Sequence, residues 1–275
     1  MKGLISGIKR MEIHDGDGLR TTVFFKGCPL KCVWCHNPES IGFTEETAFF
    51  KSKCISCGGC GGEKSARTAD LCPTGALIHY GKYYEPRELA EILLKDKAFF
   101  ISSGGGVTFS GGECLMQADF LASVAELLKA NGVSVYIDTC GYVKRESIER
   151  VLPLADKFLY DIKAIDPQVH KRCTGKDNAI ILDNLRLLSA MGATVEVRYP
   201  LVVGMNEGEA QKIGAFLFGM RGVTGVKVLR YHALAKSRYE ALGMESTLPD
   251  SITDLCNIAE AEKLIRAEGV NIIKD

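Results

Sequence analysis

The chain has 275 residues, 46% of them hydrophobic and 25% charged, which suits a globular protein with one large domain and a small insert. Its 34 basic and 34 acidic residues leave no overall charge to attract nucleic acid or a membrane surface. No apolar run reaches the ~18 residues of a membrane span, and the N-terminus lacks the apolar core of a signal peptide. We therefore expect a cytoplasmic protein without nucleic-acid or membrane partners.

Strand-like and helix-like stretches alternate along most of the chain. Strands are predicted at residues 21–26, 107–110, 133–138, 158–161, 195–199 and 226–231, and amphipathic helices at 119–130, 179–191 and 209–220. Such alternation indicates a parallel sheet covered by helices. Six consecutive units predict an α/β fold, a partial (β/α)6 TIM-type barrel.

Residues 49–83 interrupt this alternation with a segment rich in glycine and cysteine. A segment this short cannot build a hydrophobic core, so we expect metal to hold it together. The predicted organisation is a discontinuous barrel, residues 1–48 and 84–275, with a small ferredoxin-like insert at 49–83.

The chain has eleven cysteines, which is a high number for the cytoplasm. Seven lie within the first 72 residues in two tight groups, and such spacing favours metal binding over disulfides in a reducing compartment. The remaining four are expected to be small buried residues: Cys114, Cys140, Cys173 and Cys256.

Each predicted strand ends in polar or metal-binding residues. In an α/β barrel the carboxyl ends of the strands form one face, which carries the active site. The strand-end residues should therefore converge, and they are Cys28, Gly111, Gly112, Glu113, Asp138, Thr139, Asp161, Lys163, Arg198 and His232.

The first cysteine group, Cys28, Cys32 and Cys35, has the spacing C-x3-C-x2-C. Three thiolates can hold three irons of a [4Fe–4S] cluster and leave the fourth iron open, as a catalytic site requires. A structural zinc site is the alternative. Three cysteines do not complete a tetrahedron, however, and His36 directly follows Cys35 and could hardly reach the same metal.

The segment CPLKCVWCHNPES, with the preceding IHDGDGLRTTVFFKG, resembles the glycyl-radical-enzyme activating enzymes of the radical S-adenosylmethionine (SAM) superfamily, which include pyruvate formate-lyase activating enzyme. The resemblance extends over about residues 13–242, apart from the insert. It implies that SAM chelates the open iron and receives an electron from the cluster. A C–S bond then breaks, and the 5′-deoxyadenosyl radical takes a hydrogen atom from a glycine of a partner glycyl radical enzyme. A flavodoxin or ferredoxin would be the reductant.

The resemblance also implies roles for individual residues. Gly111-Gly112-Glu113 would meet the methionine amine of SAM, and Lys163, Arg198 and His232 would lie beside SAM. Trp34 would lie near the adenine, or would only pack the cysteine loop against the barrel.

Asp138, Thr139 and Asp161 offer hard oxygen ligands at two neighbouring strand ends. By resemblance these residues would bind a monovalent cation, Na⁺ or K⁺, beside SAM. The alternative is that the carboxylates cap helix N-termini.

The resembling chains have proline at two positions where this chain has Asp17 and Cys114. The segment Asp15, Gly16, Asp17 and Gly18 corresponds to a loop that closes over the partner's glycine segment. Asp17 makes this loop more acidic and frees it from the restriction that proline would impose.

The second cysteine group, Cys54, Cys57, Cys60 and Cys72, resembles a bacterial ferredoxin motif, and no second set of four accompanies it. We predict one auxiliary [4Fe–4S] cluster that uses all four thiolates and serves electron relay, docking or stability. A zinc knuckle on the same cysteines is the alternative.

Two other functions are the alternatives to radical installation on a protein. One is a radical SAM enzyme that acts on a small molecule, and the other is a plain electron-transfer protein. The latter would not need Glu113, Lys163, Arg198 and His232 around an open cluster. The insert favours a glycyl-radical dehydratase, decarboxylase or C–N lyase as the partner over a pyruvate formate-lyase.

Overall fold

The computed structural model describes residues 1–274, which form an eight-stranded sheet, a two-stranded antiparallel sheet and the helices around them. The strands are β1 (Gly3–Glu12), β2 (Arg20–Phe25), β3 (Glu46–Phe49), β4 (Leu77–Tyr80), β5 (Lys82–Tyr84), β6 (Gly106–Gly111), β7 (Ser134–Thr139), β8 (Lys157–Asp161), β9 (Val195–Leu201) and β10 (Val223–Arg230). The α-helices are α1 (Ala66–Asp70), α2 (Pro86–Leu94), α3 (Lys97–Ser103), α4 (Ala118–Ala130), α5 (Arg145–Val151), α6 (Pro167–Thr174), α7 (Ala179–Ala190), α8 (Ala210–Leu217), α9 (Lys236–Leu242) and α10 (Leu255–Ala267).

Six parallel strands form the main part of the sheet, in the order β2-β6-β7-β8-β9-β10. These are the six strands predicted from the sequence, and their order along the sheet is their order along the chain. The α/β class and the six-unit partial barrel are therefore confirmed. The sheet ends at β10 on one side, so the barrel is open there.

Two antiparallel strands that the sequence analysis missed extend the sheet beyond β2. Strand β1 pairs with β2, and β5 pairs with β1. The glycines in β1 hid its strand pattern. Gly3 is needed because a Cβ there would lie 2.1 Å from the Phe120 ring.

The strand pairing also bears on the borders of the insert. Strands β3 and β4 form an antiparallel hairpin that begins at Glu46, whereas β5 belongs to the main sheet. The division at residues 49 and 83 stays a prediction, and the pairing of β3 with β4 joins Glu46–Phe49 to Leu77–Tyr80 across the segment between them.

The two faces of the parallel sheet differ in polarity because side chains alternate along each strand. On β7, Val135 and Ile137 are fully buried in the main hydrophobic core with the apolar side of α4. Tyr136 and Asp138 point to the other face, which is polar and lines the interior of the open barrel. This polar interior leads to the carboxyl ends of the strands.

Three of the four isolated cysteines are buried as predicted: Cys114, Cys140 and Cys173. The prediction is wrong for Cys256, which is exposed in the first turn of α10. Only a narrow stripe of that helix, including Ala261 and Ile265, faces the core. Within residues 1–274, no helix combines the length and the apolar character needed to cross a bilayer.

Candidate active site

A cavity of about 230 Å³ opens at the carboxyl ends of the parallel strands. Most of the predicted strand-end residues line it, together with the first cysteine group. The predicted residues that line it are Cys28, Cys32, Trp34, Cys35, Gly111, Gly112, Asp138, Thr139, Asp161 and Lys163. Glu113, Arg198 and His232 are not part of its lining.

The cysteine loop is held by backbone hydrogen bonds to distant parts of the chain. On one side, the amide of Cys28 donates to the carbonyl of Ile41 at 3.1 Å. On the other side, Lys31 and Val33 donate to the carbonyls of Thr174 and Cys173, at 2.9 and 3.0 Å, where α6 ends. The loop is therefore positioned by the barrel.

Helix α9 supports the same loop from a third side. The Tyr239 hydroxyl donates to the Cys35 carbonyl at 3.0 Å. The Arg238 guanidinium donates to the His36 carbonyl at 3.1 Å and to the Glu39 carboxylate at 2.9 Å. These contacts join residues about two hundred positions apart in the chain.

The three cysteines of the loop are free thiols that are partly accessible from the cavity. Burial raises the pKa of Cys28 and Cys32, and that of Cys35 to about 12, so all three are protonated near neutrality. Metal ligation by cysteine needs the thiolate, so binding of an iron–sulfur cluster here would release protons. As they stand, no three His, Cys, Asp or Glu side chains in residues 1–274 are arranged to hold a single metal ion.

The glycine pair after β6 packs directly against the chain that leads into the cysteine loop. The amides of Gly112 and Glu113 donate to the carbonyls of Phe25 and Gly27, both at 2.8 Å. Gly111 has a φ of +113°, and a Cβ there would lie 2.2 Å from the Phe25 amide nitrogen. Only glycine fits this position, and the backbone of both glycines is left to line the cavity.

The Glu113 carboxylate points away from the cavity into the protein. It accepts hydrogen bonds from the Thr139 hydroxyl at 2.7 Å and from the Cys140 amide at 2.9 Å. Burial raises its pKa, although these bonds lower it in part. Glu113 therefore braces the ends of β6 and β7, and contact of this carboxylate with SAM stays a prediction.

The two strand-end aspartates carry different partners. Asp161 accepts a hydrogen bond from Lys163 at 2.6 Å, and Asp138 accepts one from the Ser110 hydroxyl at 2.5 Å. Burial raises the pKa of Asp138 to about 7, against the opposing effect of Arg198. Burial alone would lower the pKa of Lys163, but its acidic neighbours, chiefly Asp161, raise it overall.

These aspartates do not cap the helices that follow them. The N-caps of α5 and α6 are Lys144 and Asp166, so the capping alternative is wrong. The Thr139 hydroxyl donates to Glu113 and accepts from the Gly141 amide at 2.9 Å. A ligand role for this hydroxyl would require it to give up those bonds.

Arg198 is buried behind the cavity and connects β9 to the N-terminal segment. It donates to the His14 carbonyl at 3.0 Å and lies 3.9 Å from Asp15 and 4.0 Å from Asp138. Burial would lower its pKa, but the nearby carboxylates raise it overall. Its side chain is not part of the cavity lining, although that of its neighbour Asp138 is.

His232 is exposed, and its ring stacks on that of His36 with the ring centres 4.3 Å apart. His36 lines the cavity and its Nε2 hydrogen-bonds the His232 carbonyl at 2.8 Å. From the sequence, His36 was considered only as a zinc ligand. Its place in the cavity lining and its stacking on His232 were not predicted. Cys140 was also missed, because its place in the lining depends on the turn after β7.

Trp34 packs the cysteine loop and also lines the cavity, and its place near the adenine of SAM stays a prediction. The side chain is only 5% exposed and packs with Cys173, Val202 and Tyr231, yet it also lines the cavity. It therefore fixes the loop and provides an apolar wall.

The acidic N-terminal segment, residues 15–18, lies against the polar interior of the barrel. The Asp15 carboxylate accepts from the Thr22 hydroxyl at 2.7 Å. The Asp17 carboxylate accepts from the Tyr136 hydroxyl and from Lys157, both at 2.6 Å. The residue that replaces the usual proline thus holds the segment in place, contrary to the expectation of a freer loop.

The four cysteines of the insert line a separate cavity of about 280 Å³: Cys54, Cys57, Cys60 and Cys72. Cys54 and Cys57 are exposed. Backbone hydrogen bonds, chiefly from Leu77, lower the pKa of Cys72 to about 7, which favours the thiolate. This cavity is bounded by residues of the insert and its hairpin.

Comparison with known proteins agrees with this site. A family model described as the radical SAM superfamily matches residues 22–217. The chain belongs to the radical SAM superfamily. Membership implies a [4Fe–4S] cluster and SAM, and the loop of Cys28, Cys32 and Cys35 offers the three free thiols that such a cluster needs.

Several curated relatives are activating enzymes that align over most of the chain. The trans-4-hydroxy-L-proline dehydratase activating enzyme of Clostridioides difficile is 40% identical over an alignment of 276 positions that covers 88% of each chain. The choline trimethylamine-lyase activating enzyme of Oleidesulfovibrio alaskensis is 35% identical and covers 89% of this chain and 88% of its own. The pyruvate formate-lyase 2-activating enzyme of Escherichia coli is 36% identical, with coverages of 87% and 80%. Within the superfamily, this radical SAM protein is therefore one of the glycyl-radical-enzyme activating enzymes.

Two solved structures share the fold. A domain of pyruvate-formate lyase-activating enzyme from Bacteroides vulgatus has a TM-score of 0.52 at 23% identity and covers 62% of this chain and 98% of its own. Streptococcus suis SuiB bound to its precursor peptide has a TM-score of 0.60 at 11% identity, over 89% of this chain and 45% of its own. At these identities the likeness concerns the fold alone.

Proposed function

We propose that this activating enzyme cleaves SAM reductively and installs a glycyl radical on a partner enzyme. One observation carries the proposal: the cysteine loop, the glycine pair and the charged strand ends all line a single cavity. A bound cluster would supply the electron that breaks a C–S bond of SAM, and the adenosyl radical would take a hydrogen atom from the partner's glycine.

Around that chemistry, the chain's own residues would bind and orient SAM. Cys28, Cys32 and Cys35 would hold the cluster at the mouth of the barrel. The backbone of Gly111 and Gly112 would receive the methionine end, because it faces the cavity without side chains. Lys163 could then pair with the methionine carboxylate as well as with Asp161.

We further propose that Asp138 and Asp161 contribute to a monovalent cation site, Na⁺ or K⁺, with Thr139 between them. Both carboxylates face the cavity, and hard oxygen ligands suit such an ion. Glu113 and Arg198 would act as positioning residues, because each is buried behind the lining and hydrogen-bonded to segments that form it.

The insert is proposed to hold one auxiliary [4Fe–4S] cluster on Cys54, Cys57, Cys60 and Cys72. The four thiols share one cavity. A four-cysteine cluster has no open iron, so it would relay electrons or stabilise the insert. A zinc ion on the same cysteines is distinguished by metal analysis.

The proposed protein substrate is a large glycyl radical enzyme, with a flavodoxin or ferredoxin as reductant, in the cytoplasm. Because relatives over most of the chain are named for a dehydratase and for a trimethylamine-lyase, we favour a dehydratase or a C–N lyase. The segment of Asp15, Gly16, Asp17 and Gly18 lies along β2, β7 and β8 through the contacts of Asp15 and Asp17, and we propose that the partner's glycine loop contacts it there.

Electron paramagnetic resonance tests the proposal. The reduced enzyme is mixed anaerobically with SAM and the product of a neighbouring gene that encodes a large enzyme with a C-terminal glycine loop. A glycyl doublet that disappears when the partner's glycine is changed to alanine is the expected result. Turnover of a small molecule without any protein radical would instead support the small-molecule alternative.

A further inference from the structure

The charges of this neutral protein are unevenly distributed between the insert and the rest. Residues 49–83 contain five basic and two acidic residues, whereas the remainder of the chain has 29 basic and 32 acidic ones. The insert is therefore a basic region on a slightly acidic protein. Such an asymmetry creates a local positive potential that can attract an acidic partner.

Four of these basic side chains are exposed on one stretch of the insert: Lys51, Lys53, Lys64 and Arg67. Among residues 1–274, none of the four has a carboxylate within ion-pair distance. Two of them rest on aromatic rings, Lys53 on Phe50 at 4.9 Å and Lys64 on Phe49 at 5.1 Å. Their charges are thus available at the surface, and Glu63 and Asp70 are the only exposed acidic residues of the same stretch.

An apolar centre accompanies these charges. Ile55 is 65% exposed and Leu71 is 66% exposed, and both line the cavity of the four cysteines. Apolar side chains surrounded by charged ones are typical of the core and rim of a protein–protein interface. We call the surface formed by Lys51, Lys53, Ile55, Lys64, Arg67 and Leu71 the insert face.

The insert face also lies near the cysteine loop of the barrel, because helix α9 contacts both regions. Lys51 and Lys64 line a groove of about 820 Å³, whose opposite wall is α9, with Ser237 and Ala241. Tyr239, two residues from each, lies on the other side of that helix. Its hydroxyl donates to the Cys35 carbonyl, so α9 contacts both the groove and the cysteine loop.

We infer that the insert face is the docking surface for a small acidic protein that carries single electrons. The inference rests on the proposed function, which consumes one electron for each SAM cleaved. The carrier is oxidised by one electron, and SAM plus that electron yields methionine and the 5′-deoxyadenosyl radical. The exposed edge at Cys54 and Cys57 lies beside the apolar centre, where such a carrier would make its closest contact.

The test uses flavodoxin, an acidic carrier, with the full-length enzyme loaded with iron and sulfide. The variant Lys51→Glu/Lys53→Glu/Lys64→Glu reverses the insert face. A matched control, Lys95→Glu/Lys144→Glu/Lys263→Glu, makes the same charge change at exposed lysines outside the insert. Circular dichroism and iron content verify that both variants fold and load.

Three results are expected. Flavodoxin binding at low salt weakens about tenfold or more in the insert variant and little in the control, because steering depends on the local potential. Flavodoxin-driven formation of 5′-deoxyadenosine falls likewise, and its dependence on salt flattens. With dithionite, which needs no docking surface, all three enzymes cleave SAM equally fast.

The outcomes separate the docking inference from the function on which it rests. Equal weakening in both variants, or none in the insert variant, overturns the docking inference. Absence of 5′-deoxyadenosine with dithionite in the unmodified enzyme overturns the proposed function instead. Binding of flavodoxin is measured in either case, so the docking inference is decided even if catalysis fails.

Discussion

The two cysteine-bearing regions of this enzyme are built in opposite ways. The loop of Cys28, Cys32 and Cys35 is tied to residue 41 and, far away in the chain, to residues 173, 174 and 239. Turns of the insert close locally: Glu63 donates to Cys60, Cys72 to Ala69, and Gly75 to Cys72. The barrel therefore positions the first group of thiols before any cluster binds, whereas the insert is held by its local turns and by the pairing of β3 with β4.

We therefore expect the fold of the insert to depend on its metal more than the fold of the barrel does. A segment with a small core gains its folding free energy from ligation, as structural metal sites do. The loop in the barrel has the fold as its support, and its metal can be left open for chemistry.

The largest effect is expected from Cys32→Ala. Cys32 is one of three thiols on the preorganised loop, and two cannot hold a [4Fe–4S] cluster with an open iron in place. Reductive cleavage of SAM, measured as 5′-deoxyadenosine, should be lost. The control is Cys256→Ala, which changes an exposed cysteine outside both groups, and cleavage at the native rate by Cys32→Ala would contradict the assignment.

Asp161→Ala should lower the rate of SAM cleavage by about 100-fold while the iron content stays unchanged. The variant removes a carboxylate that faces the cavity and pairs with Lys163, and small displacements of a bound reactant cost rate steeply. Titration with Na⁺ and K⁺ measures the cation's part. Rates independent of both ions in native and variant enzyme would leave Asp161 only as the partner of Lys163.

Replacing Cys54, Cys57, Cys60 and Cys72 together by alanine should reduce iron from about eight to about four atoms per chain. With dithionite as reductant, SAM cleavage should change little, because the cavity of the barrel contains none of these residues. Limited proteolysis should then cut within the insert and spare the barrel. Unchanged iron, or zinc in the native protein, would rule out the auxiliary cluster.

The smallest effect is expected from Tyr239→Phe. The change removes the hydrogen bond to the Cys35 carbonyl and should lower the free energy of unfolding by about 1 kcal/mol. Tyr83→Phe is the control, since that side chain is 51% exposed. Denaturant titration measures both, and an equal change in the two variants would mean that the Tyr239 hydroxyl does not stabilise the loop.

Part of the site could be predicted from local sequence patterns, namely the alternation of strands and helices and the spacing of the cysteines. The six parallel strands follow from alternating apolar runs, and the residues at the carboxyl ends of parallel strands lie at one end of the barrel. The cysteine spacing likewise indicates the type of ligand set. Asp138, Asp161 and Lys163 consequently line the cavity, as their positions at strand ends predict.

Other features were decided by partners far away in the chain. Glu113 turns away from the cavity because Thr139 and Cys140 meet its carboxylate. Asp17 holds its segment because Tyr136 and Lys157 lie opposite it in the barrel, more than a hundred residues later. No local pattern predicts such pairs.

The class of fold, the two cysteine sets and the location of the barrel's site at the carboxyl ends of the strands follow from sequence patterns. These depend on periodicity and spacing, which are properties of neighbouring residues. The tertiary structure was needed to show which polar groups face the cavity and which support its lining from behind. It was also needed to show that α9 contacts both the cysteine loop and the groove beside the insert. These features depend on hydrogen bonds and packing between segments that are far apart in the chain and meet only in the folded protein.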